Sequence, residues 1–426
     1  MLRPSSSIPL FRQRIWRKYF ESFQNKTIAK RHKSSACSLQ DGTIIEEYDP
    51  FIDKPMEIVR EVSEEIRASV RNYTETNELN LVAITASRRY DEDGKCTDVD
   101  HGSDTYSEWI SKTCEHDGIN YETWRVAGGL DNTSQQVQSL IERANDFNHV
   151  HGILVYYPLY NKPYILGMKD GEWSASTQQD RINAGYENIL QEIRRKCQGL
   201  TYKTKDDYFR DLVHPSKDVE GLCHSYHSRK QFRNQALYVD KYDGISDNET
   251  DYFQNDTIFP CTALSVVRIL KRCLNEKQFD PSKPIGRRME GTTFTIINRS
   301  QILGRPLASL LANDGATVYS VDESSIVKIS HGNMLNRCSK VNDSVQKCIE
   351  DSSVIISGVP CSDFKVPTSW IQRNSTFINV ASEPNVDEDS LRKVEGVQYV
   401  SAVGKVTVAL LEHNLVELHN KFHNLQ

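Results

Sequence analysis

Residues 298–323 read NRSQILGRPLASLLANDGATVYSVDE. The stretch follows a short apolar run, TTFTIIN (292–298), and carries its signals in a fixed order. A polar turn leads to Gly304, where the missing side chain permits close backbone approach, and to Pro306, which suits a first helical turn. Leu307, Leu310 and Leu311 then recur on one helical face, and ATVYSV (316–321) is a strand candidate. Strand, turn, helix and strand in this order are the context in which a pyrophosphate rests on helix-terminal N–H groups. Asp322 ends the second strand 22 residues beyond Ser300, where such units hold a ribose diol. A carboxylate at that place accepts from the diol and repels a 2′-phosphate, so the chemistry favours NAD over NADP. Glu323 adjoins it, and Arg299 and Ser300 are expected to contact phosphate or ribose. Asn298 stands where the general G-x-G-x-x-G fingerprint has its leading glycine. Local sequence alone fits an ordinary strand–turn–helix equally well, with Asp322 capping the next element and Arg299 a solvated charge.

The same alternation extends in both directions. Downstream, SSVIISG (352–358), STFINVA (375–381) and VQYVSAV (397–403) are strand candidates separated mostly by helical segments. Val380, Ala381 and Ser382 end one of these strands at the edge where cofactors lie, or else serve plain strand-end packing. Upstream, ALSVVRILKRCL reads as a helix with Thr262 as its N-cap. Before it, PMEIVREVSEEIRASVRNY (55–73), DTYSEWISKTCEHDG (104–118) and SQQVQSLIERANDF (134–147) read as helices. NLVAITA (80–86), INYETWRV (119–126) and HGILVYYPLY (151–160) read as strands. The expected fold is α/β in two domains: an N-terminal α/β domain over 46–260 and a Rossmann-like domain over 261–403. A last helix over 404–426, with Val408, Leu411, Leu415 and Leu418 on one face, is expected to pack back on the first domain. Residues 161–213 are polar and read as a surface insertion, and 240–256 as a loop.

Bulk properties exclude several classes. The 426 residues carry a formal charge of −6, which weighs against a general nucleic-acid binder. No run of about 18 apolar residues suggests a membrane span. The 10 cysteines show no C-x-x-C pair and no spacing suited to zinc, so no metal site is expected and the thiols read as reduced. The first 36 residues hold nine Lys/Arg against one acid, Glu21, which leaves the rest of the chain near −14. Residues 1–45 are set apart as a presequence-like or disordered basic tail; the expected compartment is the mitochondrial matrix in the first case and the cytoplasm otherwise.

Four segments in order, PSKDVEGL (215–222), FPCTALSVVRIL (259–270), INRSQILGRPLASLLANDGATVYSVD (297–322) and GKVTVALL (404–411), closely resemble the methylenetetrahydrofolate dehydrogenase/cyclohydrolase family. The resemblance runs from about residue 50 to the end, apart from the insertion and other loop differences. It implies a folate-binding catalytic domain and a Rossmann domain flanking a cleft for folate and nicotinamide, NAD as cofactor, a homodimer, and a place in the one-carbon metabolism that feeds purine biosynthesis. It also places Tyr106, Glu220 and Cys261 at the substrate. From the residues alone, Tyr106 could be a core tyrosine, and Cys261 reads better as a small packed thiol at a helix start.

Departures from the family narrow the expectation. Bifunctional members carry a lysine four residues after the tyrosine, on the same helix face. Here YSEWISK puts Ile110 in that position, and Lys112 lies about 200° round the helix. Tyr156 stands for the glutamine that orients the lysine, and Glu220 for the second aspartate of K-D-V-D-G. These changes resemble the monofunctional NAD-dependent branch. Hydrolysis of a methenyl bridge needs proton transfer and an activated water, which isoleucine cannot supply. Hydride transfer needs positioning, and a carboxylate such as Glu220 can stabilise the methenyl cation it leaves. The alternatives are a bifunctional dehydrogenase/cyclohydrolase and a non-catalytic folate or nucleotide sensor.

Overall fold

The computed structural model describes residues 51, 53–85, 88–90, 96–99, 101–126, 133–157, 205–223, 226, 258–323, 325–330, 337–361 and 363–424. The basic tail, the loop at 240–256 and most of the 161–213 insertion lie outside these residues. The chain forms two compact units. The N-terminal unit comprises the described residues within 64–231, 250–261 and 408–426, and the Rossmann unit those within 1–63 and 262–407. The division falls inside three helices, α1 (Asp53–Thr74), α5 (Cys261–Cys273) and α9 (Gly404–Leu418).

In the N-terminal unit, β1 (Leu79–Thr85) lies between β4 (Ile119–Arg125) and β5 (Gly152–Val155), all parallel. The crossovers run through α2 (His101–His116) and α3 (Thr133–Asp146). Strand order therefore reverses at β1, and the carboxyl ends of β1 and β5 flank a switch point, the usual ligand side of a wound sheet. Val82 and Ile84 of β1 and Ile153 and Val155 of β5 pack with Val137 and Ile141 of α3 and Tyr208 and Phe209 of α4 (Lys205–Leu212). Helix α4 corrects the sequence reading: the end of the supposed surface insertion, including Val213, is core. A short antiparallel pair, β2 (Arg88–Tyr90) with β3 (Cys96–Val99), was not expected from the sequence.

Helix α9 is apolar on nearly every face from Val406 to Leu418, which is why it is buried rather than amphipathic. Within the N-terminal unit, Asn414 Nδ2 donates to the Val219 and Phe259 carbonyls at 2.8 and 3.3 Å. Glu412 is the charged exception among the buried residues of α9. Its carboxyl is fully buried, with Arg67 Nε 4.0 Å away and Asp117 and the Cys114 thiol beside it. Burial, then the negative Asp117, push its pKa up to about 9.

The Rossmann unit holds a seven-stranded sheet in the order β12-β11-β10-β6-β7-β8-β9. Strands β6 (Thr293–Ile297), β7 (Thr317–Asp322), β10 (Val354–Ser357), β11 (Thr376–Asn379) and β12 (Gln398–Val400) are parallel. Strands β8 (Ser325–Ser330) and β9 (Arg337–Val341) add in antiparallel fashion beyond β7, where the sequence suggests no strand. Helix α6 (Gly304–Asn313) buries Leu307, Leu310 and Leu311 as its spacing requires. The short helices α7 (Val345–Glu350) and α8 (Glu388–Leu391) begin at Ser344 and Asp387, whose side chains accept from Lys347 N and Ser390 N. A second correction concerns α5: it begins at Cys261, directly after Pro260, so Thr262 lies inside its first turn and is not the N-cap.

Candidate functional site

At the carboxyl edge of the Rossmann sheet, the turn after β6 is shaped by two residues. Asn298 has a φ of 94°, in the region that normally favours glycine. It holds that conformation because its own N–H donates to Val321 O at 3.1 Å and its Nδ2 donates to Gly358 O at 2.5 Å. The missing leading glycine is thus replaced by the residue type that best tolerates its backbone. Gly304 is the true close approach, since a Cβ there would lie 2.1 Å from the Asn298 carbonyl oxygen. Ser300 Oγ accepts from Leu303 N at 3.2 Å and Arg305 N donates to Ser300 O, which closes the turn onto α6.

The other expected cofactor residues share this edge. Asp322 ends β7, and its Oδ1 accepts from Glu323 N at 3.0 Å. Val380 follows β11 and donates its N–H to Ser357 O at 2.8 Å, while the Ala381 carbonyl accepts from Asn379 Nδ2 at 2.8 Å. Ser382 follows directly. Buried Asn385 fixes these strand ends: its Oδ1 accepts from Ser357 Oγ and Val359 N, and its N–H donates to Asn379 Oδ1. Arg299 differs from expectation in direction. Its guanidinium turns along the sheet toward Ser320 and Ser325. The β6/β10 switch point in strand order, a turn with no room for a methyl, and an acid at the end of β7 fit a dinucleotide with a free ribose diol.

The N-terminal unit gathers a different set at the carboxyl end of its sheet. In KDVEG each side chain has a separate task. Lys217 points back into the scaffold and donates to the Ala144, Asn145 and Phe147 carbonyls at 3.0, 2.7 and 2.8 Å, capping α3. Asp218 closes its own turn by accepting from Cys223 N at 2.7 Å, and burial raises its pKa to about 6. Gly221, at φ 66°, leaves no space for a side chain, because a Cβ would lie 2.6 Å from the Phe259 carbonyl. Glu220 is thereby presented at β5, where its Oε2 accepts from Val155 N at 3.2 Å. Burial, then Asp218, push the Glu220 pKa up to about 8.

Tyr106 of α2, Cys261 of α5 and Glu220 come together here across more than 150 residues of sequence. Burial, then Cys261 and Glu220, raise the Tyr106 phenol above its ordinary pKa. Cys261 is buried, and its N–H donates to Glu220 O at 3.3 Å. Ile110 is fully buried, one turn along α2 from Tyr106. Tyr156 lies edge-on to Tyr106, with ring centres 6.3 Å apart. Its hydroxyl meets Tyr121 at 2.9 Å, and Tyr121 in turn meets Ser107 at 3.3 Å. Burial foremost raises both phenols, so this chain of hydroxyls stays protonated. Sequence reading missed Tyr121 and Ser107, because Tyr121 belongs to no motif, Ser107 is an unmarked position within YSEWISK, and their pairing with Tyr156 depends on sheet order. Among the described residues there is no disulfide and no cluster of His, Cys, Asp and Glu that could hold a metal, and no helix is long and apolar enough to cross a membrane.

These features define a protein of two α/β units, one of the dinucleotide-binding Rossmann class. Residues 55–166 match the family model described as tetrahydrofolate dehydrogenase/cyclohydrolase, catalytic domain. A methylenetetrahydrofolate dehydrogenase [NAD(+)] of Dictyostelium discoideum is 33% identical over 326 residues, covering 76% of this chain and 84% of that protein. One of Saccharomyces cerevisiae is 32% identical, covering 75% and 82%. The solved NAD-dependent 5,10-methylenetetrahydrofolate dehydrogenase from S. cerevisiae superposes with a TM-score of 0.61 at 28% identity, over 86% of this chain and 96% of that one. The chain belongs to the tetrahydrofolate dehydrogenase/cyclohydrolase family.

Proposed function

We propose that this protein oxidises 5,10-methylenetetrahydrofolate to the 5,10-methenyl form with NAD+ and has no cyclohydrolase activity. The observation that carries the reading is the half-buried Glu220 carboxyl beside Tyr106 and Cys261, with the fully buried Ile110 in place of an ammonium group. Ser300, the N–H groups opening α6, Asp322, Glu323 and the strand end Val380–Ser382 would hold the dinucleotide. Bound NAD+ supplies the hydride acceptor. On the substrate side, Tyr106 orients the pterin and excludes water from its face. Glu220, whose pKa is about 8, holds a proton at neutral pH. A positive charge developing on the substrate favours its ionised form, and the carboxylate then stabilises that charge in a site with little water to screen it. Tyr156 and Tyr121 hold their protons and Ile110 has none to move, so the α2 face at Ile110 offers no ammonium group to assist hydrolysis. Assembly as a homodimer belongs to the same proposal and is checked by light scattering.

The test is absorbance at 340 nm with purified protein, methylenetetrahydrofolate and either NAD+ or NADP+, alongside decay of the methenyl product. NADH formation and decay at the uncatalysed rate are expected. An absence of NADH formation would overturn the reading, and accelerated decay would overturn its monofunctional half.

A further inference from the structure

The Arg299 guanidinium is half-buried and fully engaged on both of its bidentate faces. Nε donates to Ser320 Oγ at 3.0 Å, and Nη2 donates to Ser320 O. On the other face, Nη1 donates to Ser325 Oγ at 3.0 Å, and Nη2 also donates to Ser325 O at 2.9 Å. Ser320 is fully buried on β7 and Ser325 opens β8. The register pairs Ser325 with Asp322, so both serines flank the acid at the strand end. An arginine that binds a phosphate monoester presents a fork of two parallel N–H groups. Here the Nε/Nη2 fork is spent on one serine and the Nη1/Nη2 fork on the other.

We propose that Ser320 and Ser325 are specificity-determining residues: by occupying both faces of Arg299 they withhold its cation from an adenosine 2′-phosphate, and NAD selection rests on this restraint as well as on Asp322. The proposal builds on the reading of this edge as a nicotinamide-dinucleotide site. It makes cofactor choice a joint property of repulsion and sequestration. Removing the Asp322 charge takes away the diol acceptor and the repulsion, yet leaves no arginine fork for the phosphate. Removing the two hydroxyls frees Nε and Nη1 and leaves Nη2 alone on the Ser320 and Ser325 carbonyls, which loosens the guanidinium enough for it to turn a fork toward the strand end.

The test is direct binding of NADH and NADPH, by cofactor fluorescence and calorimetry, without folate. Wild type, Asp322→Ser, the triple variant Asp322→Ser/Ser320→Ala/Ser325→Ala, and that triple with Arg299→Met are compared, with folding checked by circular dichroism. Asp322→Ser is expected to lose NADH affinity by about tenfold and to change NADPH affinity by less than about threefold. The triple variant is expected to bind NADPH about tenfold more tightly than Asp322→Ser, and Arg299→Met to abolish that gain. Should the buried Ser320 change prevent folding, Asp322→Ser/Ser325→Ala carries the test, with a gain of about threefold expected and no gain counting against the proposal. The proposal is overturned if Asp322→Ser alone binds NADPH as tightly as the triple variant, or if the gain survives loss of Arg299. Tight NADH binding without turnover would refute the proposed reaction and leave this inference standing on its dissociation constants. Failure of wild type to bind NADH at all would refute both.

Discussion

The turn after β6 and the floor beside β5 achieve their shape by opposite means. The first is set by geometry: a glycine with no room for a methyl, an asparagine held at positive φ, and an arginine with both of its N–H forks engaged. The second is set by burying ionisable groups, so that Glu220, Asp218, Tyr106, Tyr121 and Tyr156 all hold their protons more tightly than usual. Discrimination at the turn is therefore steric and directional, whereas the floor responds to charge that appears on what it binds. On the proposed function, one region recognises a ligand as it is, and the other is suited to what the ligand becomes.

Gly304→Ala should break the first region most severely. A Cβ placed 2.1 Å from the Asn298 oxygen forces α6 away from β6, and NADH affinity should fall by about 100-fold or more. Fluorescence titration measures this, and the loss should be the same at pH 6 and pH 9. Glu220→Gln probes the second region and should behave differently. We expect kcat/KM to fall by about 100-fold, the order of a lost charge-stabilising group. Wild-type kcat/KM should rise with pH toward a plateau above about 8, where the free enzyme's Glu220 ionises. The variant should lack that rise, and if its profile keeps it the assignment of Glu220 is wrong. Tyr156→Phe keeps the ring and removes one hydroxyl contact, so folate KM should rise by about three- to tenfold with little change in kcat. A change confined to kcat would mean that Tyr156 acts in the chemistry and does not merely support Tyr106.

Glu412→Gln gives the smallest effect and concerns stability alone. The Glu412 pKa is raised from 4.5 to about 9 in the folded protein. Its contribution is therefore fully present below about pH 4.5 and is lost as pH rises through about 9. The amide cannot ionise, so the variant should outlast wild type at pH 9 by about 1 kcal/mol and differ little at pH 5. Thermal melts across this range check the sign.

Much of this was legible in the sequence for identifiable reasons. Parallel strands buried on both faces, such as VIIS in β10 and TFIN in β11, write themselves as short apolar runs. The turn residues Asn298, Ser300, Gly304 and Asp322 lie close in sequence, so local spacing carries their relation. Strands β8 and β9 were missed because their side chains are mostly half-buried or exposed, and SIVKIS and RCSKV lack a bounded apolar run. Helix α4 was misjudged because KDDYFRDL is dominated by charge, although Tyr208 and Phe209 fill the core. The Ser107–Tyr121–Tyr156 chain was invisible for another reason. Its members lie on a helix, a strand and the end of another strand, and only sheet order brings their hydroxyls together.

The pairing of Ser325 with Asp322 across the β7–β8 connection has a consequence for how such a protein can diversify. The acid and both restraining serines fall between Ser320 and Ser325, one uninterrupted piece of chain. The turn at Gly304 meets that piece through the Val321 carbonyl, which side-chain changes retain, and through the Arg299 side chain. On the proposed reading, cofactor preference is a detachable trait: a single short exchange rewrites it, in the laboratory or by lineage, while the backbone of the turn after β6 and the floor beside β5 are inherited intact.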